Sequence, residues 1–170
     1  MGKRVSLKDH HFGEIMNKIN RKLEYALMAL KYMSKKIPGE LTTAKEVSDS
    51  FRTPFDATAR VMQQMAQKGG ILRSEYGASG GYQITKDLAK VSIQDLIDII
   101  EGPTALVKCL HKEGEEGRCD IKDTCNILSP VKYLNQKLSD FYKGISLKEV
   151  LLDRSAPTSV RKTAEAELHG

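Results

Sequence analysis

The chain has 170 residues, a net charge of +5 and 40% hydrophobic residues, which fits one domain with an appendage or two small lobes. It contains no uninterrupted apolar run long enough to span a bilayer, and its basic N-terminus lacks an apolar central region, so we expect no secretory signal. Three cysteines do not match a secreted disulfide scaffold, and a reducing cytoplasm is the expected compartment.

Charge is spread unevenly along the chain. Residues 1–90 carry 16 Lys or Arg against 9 Asp or Glu, whereas residues 91–170 carry 11 against 13. A basic first half followed by a nearly neutral second half indicates a lobe that binds a polyanion, joined to a lobe for regulation or dimerisation. An ordinary solvated basic surface would give the same imbalance, so charge alone leaves both interpretations open.

Three helices are predicted in the first half. The first starts near Asn20 and ends before Pro38. The second begins at Thr42 or Thr43 as N-cap, and the third has Pro54 in its first turn and ends at a pair of glycines. Their predicted buried stripes are Leu23, Ala26, Leu27, Leu30 and Met33 in the first helix, Ala44, Val47 and Phe51 in the second, and Phe55, Ala59, Met62, Met65 and Ala66 in the third.

Two short extended segments follow the third helix. They are residues 71–74 and 81–84, and the glycine-rich stretch between them predicts a hairpin loop. Three helices followed by a hairpin is the order of a winged helix-turn-helix, in which the third helix enters the major groove of DNA and the wing touches the backbone or minor groove. The predicted fold class is therefore mainly α with a small β wing: a winged helix-turn-helix domain plus a long dimerisation helix.

The second half is predicted to hold a helix capped by Ser92, a cysteine segment and a long helix. The long helix follows Cys125 and runs to about Lys143, with apolar residues alternately four and three apart, the spacing of a helix that packs along a partner. An intramolecular contact would explain two heptads equally well. Ser146 is predicted to cap a last short helix. The long helix's apolar stripe is Ile127, Val131, Leu134, Leu138, Phe141 and Ile145.

All three cysteines, Cys109, Cys119 and Cys125, lie within seventeen residues of one charged, glycine-containing segment. Such a grouping favours one soft-metal site, and thiolates are the ordinary ligands of iron–sulfur clusters. Because the chain has no fourth cysteine, a four-coordinate site has to recruit another ligand. The alternatives are a structural zinc completed by His111 or Glu24 and a metal-free switch in which two cysteines form a disulfide.

The segment from Gly77 to Tyr82 reads Gly-Ala-Ser-Gly-Gly-Tyr. It resembles the Gly-x-x-Gly-Gly-Tyr hallmark of the Rrf2-type bacterial transcription regulators, the family of the iron–sulfur sensors IscR, NsrR and RirA. Residues 23–26, residues 92–102 and three cysteines ahead of a long helix agree with the same family, so that the resemblance covers residues 16–152. It implies a homodimer that reads a palindromic operator, with a two-iron or four-iron cluster whose state changes the affinity for DNA.

The chain departs from this family pattern at three places. The gap between Cys109 and Cys119 is longer than usual. Leu128 stands where IscR-like members carry a histidine ligand. Tyr76 replaces an arginine that often precedes the glycines of the wing, and Arg73 is the residue expected to compensate.

The resemblance also suggests the missing ligand. In NsrR-like sensors a carboxylate near the start of the first helix, from the opposite subunit, completes the cluster shell, and Glu24 occupies that place. The predicted metal ligands are therefore Cys109, Cys119, Cys125 and Glu24, with His111 as the second candidate for the fourth position. The alternative for Glu24 is a surface ion pair with Lys31 or Arg21.

The predicted DNA interface combines the polar face of the third helix with basic residues around it. Arg and Gln side chains suit base edges, Arg toward guanine and Gln toward adenine, whereas Lys45 and Arg52 are expected to meet phosphates together with backbone N–H groups of the wing. A polar helix face in solvent is the alternative. The predicted DNA-binding residues are Lys45, Arg52, Thr53, Asp56, Arg60, Gln63, Gln67, Arg73, Ser79, Gly80 and Tyr82.

Four segments follow from this reading: a flexible tail (1–19), a winged helix-turn-helix domain (20–90), a cluster-binding loop with dimerisation helices (91–152) and a disordered tail (153–170). The sequence has no Ser/His/Asp grouping and no phosphate-binding glycine loop, so we expect no enzymatic activity. The predicted function is a cytoplasmic, homodimeric regulator of transcription, acting as a repressor under the control of a redox-sensitive iron–sulfur cluster. The alternative is a winged-helix regulator with zinc or a thiol switch in place of the cluster.

Overall fold

The computed structural model describes residues 20–77, 80–103, 105–107, 110, 121 and 124–152. The two predicted tails and the predicted site residues Cys109, His111, Cys119 and Ser79 lie outside these residues. No helix in the described ranges is long and apolar enough to cross a membrane.

The element order is three helices, a hairpin and three further helices. This order confirms the predicted fold class, a mainly helical chain with a small β wing. The elements are α1 (Arg21–Ser34), α2 (Ala44–Phe51), α3 (Phe55–Gln67), β1 (Leu72–Glu75), β2 (Gly81–Ile84), a short 3-10 helix (Leu88–Lys90), α4 (Ile93–Glu101), α5 (Leu128–Lys143) and α6 (Leu147–Leu151).

Polar side chains cap the starts of α2, α4 and α6. The hydroxyl of Thr43 accepts the backbone N–H of Glu46 at 3.0 Å, which decides between the two threonines predicted to cap α2. Ser92 caps α4 in a reciprocal capping box with Asp95. Ser146 caps α6, so the predicted caps of α4 and α6 are confirmed.

One hydrophobic core joins the helices on either side of the cysteine segment. Leu30 of α1, Met65 of α3, Leu96 of α4 and Leu147 of α6 are all fully buried in it. The backbone N–H of Leu147 donates to the carbonyl of Val91 at 2.8 Å. Because α6 returns to this core, the C-terminal end of α5 is anchored, while none of the residues of α5 is buried.

The wing is a two-stranded antiparallel sheet. Leu72 of β1 lies opposite Ile84 of β2, and Glu75 lies opposite Gly81 at the loop end. Leu72 is buried, whereas Arg73 next to it is exposed, so the strand alternates between the core and solvent. The hairpin predicted from the glycine-rich loop is therefore present, with β1 starting one residue later than expected.

Two aromatic residues that were predicted to lie in buried stripes are exposed. Phe51 has 42% and Phe55 52% of its surface exposed, so their assignment to the buried face was wrong. Phe51 ends α2 and Phe55 begins α3. Helical spacing assigns Phe51 and Phe55 to the apolar face of their helices. It does not show how far the neighbouring helix extends to cover them. The buried residues of α3 are Thr58, Val61, Met62 and Met65.

Candidate nucleic-acid interface and metal ligands

The turn between α2 and α3 is held by a small set of hydrogen bonds. Arg52 adopts a left-handed conformation with φ of 53° and caps the C-terminus of α2. The hydroxyls of Thr53 and Thr58 lie 2.8 Å apart, and the Thr58 hydroxyl donates to the Pro54 carbonyl at 3.0 Å. Thr58 is fully buried, so this polar pair fixes the angle at which α3 leaves the turn.

The predicted reading face of α3 is exposed. Asp56, Arg60, Gln63 and Gln67 are all open to solvent, and Thr53 in the turn is half-buried. These are the residues that α3 presents opposite its buried side, and they carry one cation, one anion and two amides. Such donors and acceptors match the hydrogen-bonding pattern of base edges in the major groove.

α2 contributes cations beside this face. Lys45 is exposed, and its ammonium lies 3.2 Å from the carboxylate of Asp49 one turn later. Arg52 is exposed as well. Because an exposed i, i+4 ion pair is worth only about 0.3–0.5 kcal/mol, the ammonium of Lys45 can leave Asp49 for a phosphate at little cost.

A second set of polar contacts joins α2 to α1. Glu46 accepts a hydrogen bond from the Tyr32 hydroxyl at 2.7 Å and pairs with the Lys36 ammonium at 2.6 Å. The hydrogen bond from Lys36, followed by that from Tyr32, holds the pKa of Glu46 below its ordinary value. The same bond to Glu46 raises the pKa of Lys36. These contacts fix α2 against α1.

Arg73 in the wing is not a free cation. Its Nε lies 2.9 Å from Glu75 Oε1, and Gln83 Nε2 donates to the same oxygen at 3.2 Å. The Arg73 side chain is still 64% exposed. It remains accessible to a phosphate, but it shares its charge with the acid two residues away on the same strand.

The glycines of the wing are required by close backbone approaches. A Cβ on Gly80 would lie 2.6 Å from the Glu75 carbonyl oxygen, and one on Gly81 would lie 3.0 Å from the Thr42 carbonyl oxygen. No side chain fits at Gly80 without moving backbone. Burial, with a smaller effect of nearby Tyr76, raises the pKa of the half-buried Tyr82, so its hydroxyl is protonated and able to donate near neutral pH.

Two of the four predicted metal ligands are among the described residues. Cys125 is half-buried three residues before α5. Glu24 lies in the first turn of α1, where its carboxylate is 3.2 Å from Arg21 and its side chain is 36% exposed. Within the described ranges no three His, Cys, Asp or Glu side chains form a metal-binding group. A soft thiolate and an exposed carboxylate fit an iron site chemically, but they do not complete one.

α5 has two different apolar faces. Leu138 and Tyr142 line a cavity of about 430 Å³ that also borders Leu27 of α1 and Ile97 of α4. Glu101 stands at its edge, where burial raises the pKa of its carboxyl against a smaller opposing effect of Lys22. The other face is open: Ile127 is 57%, Leu134 58% and Phe141 61% exposed. The single apolar stripe predicted from the sequence is thus divided between residues that border this cavity or are half-buried and residues that are open to solvent.

One exposed residue at the start of α3 was not among the predicted DNA-binding residues. Phe55 was assigned to the core, yet it stands exposed at the first position of α3 beside Asp56. The signal in the sequence was Pro54, because a residue directly after a proline that opens a helix lies in the first turn, where less of the molecule covers it.

Comparison with known proteins gives a consistent result. The model of the family Rrf2, described as iron-dependent transcriptional regulator, matches residues 19–153. An HTH-type transcriptional regulator of Aquifex aeolicus is 26% identical over 132 residues, which are 76% of this chain and 88% of that protein. The regulator NsrR of Shouchella clausii is 23% identical over 104 residues, 61% of this chain and 68% of the relative.

A solved structure shows the same fold. CymR of B. subtilis, described as a global cysteine regulator, has a TM-score of 0.57 at 18% identity, and the match covers 80% of this chain and 97% of CymR. At this level of identity the likeness concerns the arrangement of helices and wing, and it agrees with the element order found above.

Proposed function

Because the chain belongs to the Rrf2 family of transcription regulators, we propose that it binds a palindromic operator as a homodimer and that an iron–sulfur cluster controls this binding. The observation that carries the proposal is the exposed polar face of α3, which lies in the same chain as the three closely spaced cysteines Cys109, Cys119 and Cys125. A member of this family is a DNA-binding protein and not an enzyme.

Operator binding rests on the helix-turn-helix and the charge of its lobe. Residues 1–90 carry 16 basic against 9 acidic residues, which attracts a polyanion. Arg60 and Gln63 are exposed on α3 and are proposed to read base edges, while Lys45 and Arg52 are proposed to contact phosphates. The wing would add Arg73, Tyr82 and the backbone of Ser79 and Gly80.

The homodimer rests on the open face of α5. Leu134 and Phe141 are seven residues apart, and both are more than half exposed. Large apolar side chains that repeat every heptad on one exposed helix face are typical of a helix that packs against another helix. The proposed partner is a second copy of α5, and the two-fold axis of such a dimer would match the two half-sites of a palindromic operator.

The cluster is proposed to be held by Cys109, Cys119, Cys125 and Glu24, with Glu24 supplied by the partner subunit. Cys125 lies three residues before α5, and Glu24 lies at the start of α1, so the proposed ligands connect the dimerisation helix of one subunit to the DNA-binding lobe of the other. A bound cluster supplies reversible redox and ligand-exchange chemistry. The carboxylate of Glu24 has to leave Arg21 to bind iron, and the exposed pair costs little to break.

The experiment is to purify the protein without oxygen and to compare it with protein from which iron has been removed. We expect visible absorbance in the first preparation only, and different affinities of the two for DNA fragments selected from a random pool. Glu24→Ala should change the absorbance, whereas Arg21→Ala, which removes only the ion-pair partner, should not. Equal DNA binding by both preparations would refute cluster control, and a colourless protein that contains zinc would favour the zinc alternative.

A further inference from the structure

Phe55 is an apolar residue at a position where a helix-turn-helix protein meets bases. It is the first residue of α3 and is 52% exposed. Thr58 and Met62, which follow Phe55 by three and seven residues on the same side of the helix, are fully buried. Phe55 therefore stands at the end of the buried stripe, in front of the core. A single exposed aromatic residue does not by itself indicate a binding site. The relevant observation is its position at the start of α3.

The neighbours of Phe55 show which way this end of the helix faces. Asp56 and Arg60 are exposed on the same helix, and Arg52 is exposed at the turn before it. In helix-turn-helix proteins the N-terminal residues of the second helix of the motif contact base edges. Phe55 lies within that first turn, on the flank of α3 between its buried side and its exposed polar side, and its side chain cannot form a hydrogen bond.

The major groove offers one apolar group to such a side chain. Thymine carries a 5-methyl group on its groove edge, which cytosine lacks, and apolar side chains contact it. We propose that Phe55 packs against the 5-methyl group of a thymine in each operator half-site and so contributes specificity by apolar contact. This inference rests on the proposed binding of operator DNA through α3, and it adds a reading residue that hydrogen-bonding capacity alone does not reveal.

The test exploits deoxyuridine, which differs from thymidine by that methyl group alone. The probe is a duplex selected from a random pool by the wild-type protein, in which symmetric pairs of thymines are replaced by deoxyuridine, one pair at a time. Fluorescence anisotropy gives each dissociation constant. For wild-type protein we expect one pair whose replacement weakens binding about fourfold for each half-site, the effect of one buried methyl group.

Variants of Phe55 assign that effect to the side chain. Phe55→Ala should bind the thymine duplex more weakly and should no longer distinguish thymine from deoxyuridine at the sensitive pair. Phe55→Leu keeps an apolar side chain and should retain part of the discrimination. Other thymine pairs serve as the internal control, and circular dichroism checks that each variant is folded.

The outcomes separate the two proposals. If wild-type protein binds selectively but no thymine pair is methyl-sensitive, or if Phe55→Ala retains the full methyl effect, the role of Phe55 is refuted while operator binding stands. If wild-type protein selects no sequence from the pool, operator recognition itself fails. Should Phe55→Ala not fold, the deoxyuridine series on wild-type protein and on Phe55→Leu still decides.

Discussion

The backbone of Thr42, just ahead of α2, is joined to the backbone of Tyr82 in β2 by two hydrogen bonds, each 2.9 Å long. The pair makes Thr42 a one-residue extension of the wing sheet. Since Thr43 next to it caps α2, these two hydrogen bonds tie the wing directly to the start of α2. The two parts of the proposed DNA interface are therefore joined by backbone hydrogen bonds as well as by packing.

Gly81→Ala should damage this connection. The added Cβ would lie 3.0 Å from the Thr42 carbonyl oxygen and 3.3 Å from Leu41 Cβ, so either the strand or the segment before α2 has to move. We expect a loss of about 1–3 kcal/mol in the free energy of unfolding, the usual cost of forcing extra atoms into a packed site, measured by urea denaturation. Gly144→Ala is the matched control, because its Cβ meets no atom closer than 3.4 Å; an equal loss in both variants would contradict the explanation.

Arg52→Gly should separate stability from DNA binding. Arg52 is the one non-glycine residue with positive φ in the described part of the chain, and a left-handed conformation costs an L-residue roughly 1–2 kcal/mol that glycine does not incur. We expect the variant to unfold at a similar or higher urea concentration, since the flexibility of glycine in the unfolded state offsets part of the gain, and to bind DNA more weakly.

Arg52→Lys provides the comparison for that experiment, because it keeps the charge and the strain. It should bind DNA nearly as well as the wild type if Arg52 meets a phosphate. If Arg52→Gly binds DNA with unchanged affinity and unchanged salt dependence, the residue has no part in the interface.

The sequence was sufficient to predict most of the fold but less of the site. Thr43, Ser92 and Ser146 cap their helices as predicted, because the oxygen of a short polar side chain ahead of an apolar repeat can accept a backbone N–H of the first turn. Helical spacing wrongly placed Phe55 in the core, because spacing does not report the length of the helix that covers it; Pro54 was the only local signal that Phe55 lies in the first turn. The pairing of Thr42 with Tyr82 joins residues forty positions apart, and no local pattern encodes it.

The contacts of Glu46 predict a pH dependence of stability. Hydrogen bonds from Lys36 and Tyr32 lower the pKa of Glu46 in the folded state below its ordinary value of 4.5. The stability that they contribute is present above that value and is lost as the pH falls below it toward the folded-state pKa, because the unfolded chain binds the proton first. Below pH 5 the wild type should therefore lose stability more steeply than Glu46→Gln.

The size of this effect should be modest. The Glu46 side chain is 35% exposed, and solvent screening limits such a pair to less than about 1 kcal/mol. The urea midpoints of the wild type and of Glu46→Gln are measured at pH 7 and pH 4. The other carboxyl groups are the same in both proteins, so their contribution cancels in the difference. Tyr32→Phe should show an intermediate pH dependence, since it keeps the Lys36 bond. Parallel curves for wild type and Glu46→Gln would contradict the prediction.

Arg60 and Lys45 should differ in what they contribute to DNA binding. Arg60 is exposed on α3 and suits a base edge, so Arg60→Ala should cost about 1–3 kcal/mol on the selected sequence and little on random DNA. Lys45 suits a phosphate, so Lys45→Ala should weaken both alike and reduce the slope of log affinity against log salt by about 1. Anisotropy titrations on the selected and the random DNA at several salt concentrations test this. If Arg60→Ala loses equal affinity for both DNAs, Arg60 does not contact a base edge.

The open face of α5 gives the last prediction. Leu134 is 58% exposed, so Leu134→Glu should scarcely affect a single subunit, whereas in a dimer that buries this face it would place two carboxylates in an apolar contact. We expect the dissociation constant of the dimer to rise at least thirtyfold, about the effect of losing a 2 kcal/mol contact, as measured by sedimentation velocity.

Ser129→Glu is the matched control for Leu134→Glu, because it adds the same charge to the same helix at an exposed position outside the heptad stripe. It should leave the dimer intact. Far-ultraviolet circular dichroism should show the same helix content in both variants. If Leu134→Glu sediments as the wild type does, the partner of α5 lies elsewhere; if it becomes monomeric and also loses affinity for a two-half-site duplex more than for a single half-site, the α5 face joins the two DNA-binding lobes.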